Sequence, residues 1–219
     1  SKVIGKAFFA DRKIVDRALQ SLNTYSSIWK NEDSNKRIEI INNFSNLLEL
    51  NYLKLVSACV KEAGKTIPDA IADIREAIDF CRYYGVLAKD LFREVKLPGP
   101  TGEKNLYRFK GKGLSIVISP WNFPIAIFTG QLVAALITGN VVLAKPAEQT
   151  SYCAYIVFKL LLKAGLPNKA AALLLGRGEE IGPQLFFTKQ LKNIIFTGSL
   201  ETAKNIQKQL AKRTDILNL

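Results

Sequence analysis

The chain has neither histidine nor methionine in its 219 residues. Without histidine, Ser-His and Cys-His nucleophile pairs are excluded, and so are most zinc sites, which leaves no metal-ligand set to expect. The lack of an initiator methionine points to a processed chain or an excerpt of a longer one. Cysteine is scarce: Cys59, Cys81 and Cys153 are an odd number and show no CxxC spacing. All three sit in apolar, helix-like surroundings, which predicts buried free thiols in a reducing cytoplasm. No N-terminal signal pattern is present. Charge is missing altogether from residues 113–144. That run is not a membrane span, because Pro120, Asn122, Pro124, Gly130, Gln131, Gly139 and Asn140 interrupt it. Its longest clean piece, Ile125 to Phe128, is far short of the ~20 apolar residues a span requires.

What is present is an ordinary globular composition, 48% hydrophobic and 23% charged, on a chain long enough for a real core. The net charge of +12 raises the question of a nucleic-acid or anionic partner. The charge is spread out, however. Its densest stretch, Lys204, Lys208, Lys212 and Arg213, has helical spacing and reads as a solvated helix face. A basic nucleic-acid binder is therefore not expected through this segment.

The pattern divides near residue 108. Ahead of it the chain reads as helices. Asp33 to Ala63 carries one apolar stripe and stops at Gly64, and a second helix opens at Thr66 and runs towards Leu91. LPGPTGEKN, residues 97–105, is a linker or hairpin arm. From residue 114 four apolar runs alternate with helical stretches: LSIVI (114–118), VVLA (141–144), ALLL (172–175) and NIIF (193–196). The helices fall at about 124–138, 151–164, 179–188 and 200–213, the second capped by Ser151. Continuous apolar strands alternating with helices predict an α/β fold with a parallel sheet covered on both faces. The expected organisation is an N-terminal helical segment with its arm over 1–108 and a Rossmann-like portion over 109–219.

In such sheets ligands bind outside the carboxyl ends of the strands. The four turns there are Ser119-Pro120-Trp121-Asn122, Lys145-Pro146-Ala147-Glu148, Gly176-Arg177-Gly178 and Thr197-Gly198-Ser199. Each admits two readings. Gly198-Ser199 is a capped turn or an anion site at a helix start. Gly176-x-Gly178 with Gly182 is a turn or a near-miss of the dinucleotide fingerprint. Lys145 and Glu148 are an ion pair at a helix start or a pair of groups for ribose hydroxyls. Asn122 is a turn asparagine or an uncharged N–H donor for a developing oxyanion.

Taken together, PWNFP (120–124), KPAEQT (145–150) and FTGS (196–199) resemble the motifs of the aldehyde dehydrogenase superfamily, in order and at suitable spacing. EAGKT (62–66), DIREAIDFCRYY (73–84) and ISPWNFPIAIFTGQ (118–131) are similar to the glutamate-semialdehyde (1-pyrroline-5-carboxylate) dehydrogenase part of bifunctional proline-utilisation proteins. The resemblance implies an incomplete aldehyde dehydrogenase fold, NAD as cofactor and glutamate semialdehyde as substrate in proline catabolism. It implies that Asn122 is the oxyanion-hole amide and that Lys145 and Glu148 bind the adenosine ribose. Ile118, Ser119, Pro120 and Trp121 would line the cofactor groove, and Gly178 and Gly182 would lie near the adenine. Phe196, Gly198 and Ser199 would lie near the pyrophosphate and nicotinamide.

The resemblance also implies a nucleophilic cysteine and a water-activating glutamate further along than Leu219. None of the three cysteines has the matching motif, so the catalytic domain is expected to be absent and the chain by itself inactive. The complete protein would be a cytoplasmic enzyme, with a homo-oligomer as an assembly open to it. The alternatives are a non-catalytic nucleotide-binding module and a dehydrogenase of another aldehyde.

Overall fold

The structure is a computed structural model and describes residues 3–214, so residues 215–219 of the second segment lie outside the described residues. Four helices come first: α1 (Arg12–Lys30), α2 (Ser34–Leu50), α3 (Tyr52–Ala63) and α4 (Ile67–Leu91). The hydrophobic stripe expected as one helix over 33–63 is thus split at Asn51. Its backbone N–H and side-chain amide both bond the Leu47 carbonyl and close α2 there. An amide that competes with the helix ladder favours such an end. Gly64 then terminates α3 in the left-handed conformation at φ 67°. Thr66 caps α4 by accepting from the Asp69 N–H. The arm at 97–105 is a hairpin of β1 (Val95–Leu97) and β2 (Asn105–Tyr107).

The second half holds β3 (Leu114–Ile118), α5 (Ala126–Ile137), β4 (Val141–Lys145), α6 (Ser151–Lys163), β5 (Ala171–Leu173), α7 (Gly178–Phe186), β6 (Leu191–Phe196) and α8 (Leu200–Leu210). The strands form one parallel sheet in the order β5-β4-β3-β6. Here β3 and β4 lie between neighbours on both sides, and β4 is buried along its whole length. That burial is why these strands read as unbroken apolar runs. The chain leaves β3 towards β4 on one side and returns to β6 on the other, so the ends of β3 and β6 flank a topological switch point, where such sheets open a crevice.

Helix α5 is buried on nearly every side, between the sheet and the N-terminal helices. Its free terminal groups are satisfied from that helical layer. At its start the Ala126 N–H donates to Asp73 Oδ1 at 2.7 Å. At its end the indole Nε1 of buried Trp29 donates to Leu136 O at 3.1 Å, and Arg37 Nε donates to Ile137 O at 2.9 Å. A helix end without partners inside a protein leaves amides and carbonyls unpaired, so these contacts dock the two layers. Helix α6 is treated the same way. The expected Ser151 cap is not made; Ser151 is the first helical residue, and its Oγ bonds Glu148 O. The cap is Glu62 of α3, whose two oxygens accept from Tyr152 and Cys153 N–H at 2.8 and 2.7 Å.

The loop that feeds β3 crosses the loop after α5 at close range. Asn140 Oδ1 accepts from the Lys112 and Gly113 N–H groups at 2.7 and 3.1 Å. A Cβ on Gly111 would stand 2.3 Å from the Gly139 carbonyl oxygen, a backbone atom that cannot swing away. Gly111→Ala is therefore expected to lower the unfolding free energy by about 1–3 kcal/mol, read from the urea midpoint; an unchanged midpoint would show that the two loops separate freely.

Candidate functional site

Strand register sets the site. Ile118 pairs with Lys145 on one side and Phe196 on the other, so the last residues of β4, β3 and β6 form one row. The ladder runs one residue further: Ser119 N–H donates to Lys145 O at 3.2 Å and Thr197 N–H to Ile118 O at 3.1 Å. Behind this row, buried Ser119 donates from Oγ to Gln131 Oε1 at 2.6 Å, and Gln131 Nε2 donates to Thr197 Oγ1 at 2.9 Å. Gln131 on α5 thereby fixes the turns after β3 and β6 against each other.

Lys145 is 6% exposed, its Nζ 3.4 Å from Glu148 Oε2 and 3.2 Å from Pro146 O. Burial lowers its pKa from the ordinary lysine value, and Glu148 works against that shift. Gly178, the first residue of α7, faces this ammonium; a Cβ there would lie 3.8 Å from Lys145 Nζ. Gly182 follows one turn later, beside the Phe186 ring. Gly198 lets the chain lie flat on Phe196, since a Cβ would come within 2.7 Å of that ring. Ser199 then caps α8 by accepting from Thr202 N–H at 3.1 Å, and this helix start lies at the cleft edge.

These turns enclose a cleft of about 990 Å³. Ile118, Ser119, Pro120 and Trp121 line it from β3 and its turn, and Lys145 and Glu148 from β4. Gly178 and Gly182 line it from α7, and Phe196, Gly198 and Ser199 from β6 and α8. All the expected cofactor residues thus share one wall system. Asn122 is set apart from them. It is exposed beyond Trp121, and its carbonyl oxygen is held by Lys65 of the α3–α4 joint. The basic stripe is not a uniformly solvated face: Lys204 and Lys208 line the α8 side of the cleft, and Arg213 donates to the Phe186 and Thr188 carbonyls. Sequence reading assigned no role to Lys65, Asp73, Glu62 or Gln131. All four lie in stretches quoted for the resemblance, but each acts through a partner on another element.

The residues present fit a dinucleotide. Ammonium and carboxylate sit together for vicinal hydroxyls, the start of α8 at the cleft edge suits a pyrophosphate, and the volume is at the upper end of the ~300–1,000 Å³ usual for small-molecule sites. Among the described residues no group of His, Cys, Asp and Glu could hold a metal, and no helix is long and apolar enough to cross a membrane.

The thiols are chemically quiet. Cys59, Cys81 and Cys153 are fully buried and free. Burial pushes Cys81 up to about 12. Cys153 is raised by its hydrogen bond with Cys59 and by burial. Since the thiolate is the reactive form, alkylation of the native protein with iodoacetamide, mapped by mass spectrometry, should leave all three unmodified, and denaturation should expose them. Rapid native labelling of any one would contradict this.

The aldehyde dehydrogenase family model matches residues 1–219. The bifunctional protein PutA of Salmonella typhimurium is 40% identical over 215 residues, 97% of this chain and 15% of that protein. The 1-pyrroline-5-carboxylate dehydrogenase of Bacillus subtilis is 35% identical over 96% of this chain and 41% of its own length. A Bradyrhizobium japonicum proline utilization A structure superimposes with a TM-score of 0.94 at 38% identity, covering 97% of this chain and 22% of that one. A Thermus thermophilus 1-pyrroline-5-carboxylate dehydrogenase gives 0.90 at 32% identity, over 96% of this chain and 42% of that one. The chain therefore spans less than half the length of each of these relatives. With its sheet, its cleft and these matches in agreement, the chain belongs to the aldehyde dehydrogenase family.

Proposed function

We propose that this chain is the NAD-binding portion of a cytoplasmic dehydrogenase that oxidises glutamate semialdehyde to glutamate in proline catabolism. Residues 109–219 would form the nucleotide-binding part, and residues 1–108 the helical scaffold and arm. The observation that carries the reading is the meeting of Lys145, Glu148, Gly178 and Ser199 around one cleft at the carboxyl edge of the sheet. The choice of aldehyde rests on the names of the 1-pyrroline-5-carboxylate dehydrogenase and PutA relatives.

In this reading Lys145 and Glu148 hold the adenosine ribose. The Glu148 carboxylate repels a 2′-phosphate, which favours NAD over NADP. The first amides of α8 meet the pyrophosphate. Bound NAD supplies a hydride acceptor. A cysteine thiolate adds to the aldehyde carbon, and the carbonyl oxygen gains the negative charge. Asn122 donates its amide N–H to that oxygen without bringing a group that titrates. Loss of hydride leaves a thioester, which water cleaves to the carboxylic acid and the free thiol. The nucleophile comes from outside this chain, because its own three cysteines are sealed in the core.

The test uses the full reading frame. Lys145→Ala is expected to weaken NAD binding about tenfold by calorimetry, roughly 1.4 kcal/mol. Asn122→Ala should lower kcat for NADH formation by about 10²–10³-fold with NAD affinity kept. Unchanged NAD affinity in the first variant would remove Lys145 from the site, and unchanged kcat in the second would remove Asn122.

A further inference from the structure

Asn122 stands on an exposed loop, and an oxyanion donor on a loop is only as good as the hold on its backbone. That hold comes from Lys65. The residue lies in the joint between α3 and α4, where Gly64 ends one helix and Thr66 caps the next. Its side chain is 10% exposed and crosses from the joint to the loop. Nζ donates to the Asn122 carbonyl oxygen at 3.0 Å and to Asp73 Oδ2 at 3.2 Å. It also lies 4.0 Å from the centroid of the Phe123 ring.

A carbonyl bonded in this way fixes the peptide plane between Asn122 and Phe123. Asp73, fully buried, fixes the other end of the loop by accepting from Ala126 N–H, the first amide of α5. One ammonium–carboxylate pair therefore spans Asn122 to Ala126, with the rigid Pro124 between.

We infer that Lys65, held by Asp73, is a positioning residue that sets Asn122 for the developing oxyanion. This rests on the oxyanion reading of Asn122 given above. A misplacement near 1 Å at a reacting group costs on the order of 10²-fold in rate. The helix joint itself does not depend on the ammonium, because Gly64 and Thr66 close it through their own backbone and hydroxyl.

The experiment uses the full-length enzyme with Lys65→Met, Lys65→Arg, Asn122→Ala and the double variant Lys65→Met/Asn122→Ala. Lys65→Met is expected to lower kcat about 10–100-fold with the NAD dissociation constant held within about twofold. Lys65→Arg should recover part of the loss. In the Asn122→Ala background Lys65→Met should cost nothing more, because it acts through the residue already removed. Wild-type kcat in Lys65→Met overturns the inference. So does a loss that adds in full to that of Asn122→Ala, or one that tracks NAD affinity; kcat is read per folded molecule below the thermal midpoint, because Lys65→Met leaves buried Asp73 without its ammonium and lowers that midpoint by itself. If Asn122→Ala loses activity and Lys65→Met does not, the positioning role alone fails; if Asn122→Ala keeps kcat, the oxyanion reading fails and takes this inference with it. Should Lys65→Met not fold, Lys65→Gln, which is shorter and uncharged, is judged by the same comparisons.

Discussion

A carboxylate buried between two layers holds this fold together. Asp73 has no exposed surface, and burial pushes its carboxyl above the usual range, against the pull of the Ala126 N–H and of Lys65. A charge so placed is costly unless its oxygens are fully engaged, and removing one partner of such a pair typically costs about 3–5 kcal/mol. Asp73 meets that demand with the start of α5 on one oxygen and Lys65 on the other, the Cys59 thiol adding a longer contact at 3.8 Å. The position of α5 follows from this, and the turns after β3 and β6 follow from α5 through Gln131.

The same device recurs at α6. Glu62 closes the start of α6 as Asp73 closes the start of α5, so both helices flanking β4 in sequence are anchored by acids from the N-terminal helices. Carboxylates suit helix starts because unpaired amides and the helix dipole both favour negative charge there. The N-terminal helices are thus part of the cleft's geometry although they contribute none of its lining.

What the sequence made legible was local. LSIVI and VVLA read as strands because burial on both faces removes every polar residue, and Ser199 and Thr66 read as caps because a hydroxyl before a helix has a short-range partner. The turns of the cleft were legible because a parallel sheet brings the ends of its strands to one edge. The caps of α5 and α6 were not: Glu62 lies 91 positions from Cys153, Asp73 lies 53 from Ala126, and Trp29 lies 107 from Leu136. No periodicity encodes such distances, so a local reading places the cap of α6 at Ser151 where Glu62 makes it. The break at Asn51 is hidden because the apolar stripe continues across it. The third run, expected at 172–175, pairs over Ala171–Leu173; Leu174 N–H still donates to Ala144 O, and the Leu175 carbonyl accepts from Ala10 N–H instead of from β4.

The strand order has a consequence for how the chain behaves by itself. Among the described residues each outer strand of the sheet pairs with one other strand only, but they differ. β5 is three residues long, too short to template much. β6 is six residues long, Leu-Lys-Asn-Ile-Ile-Phe, with Lys192 as its one charge, and among the described residues it pairs only with β3. A long apolar edge accepts an added strand through main-chain hydrogen bonds whatever its side chains are, and natural sheets cover or blunt such edges. A strand laid against β6 would extend the sheet through main-chain hydrogen bonds, which makes this edge rather than β5 the place where these residues would meet a further strand or a second copy.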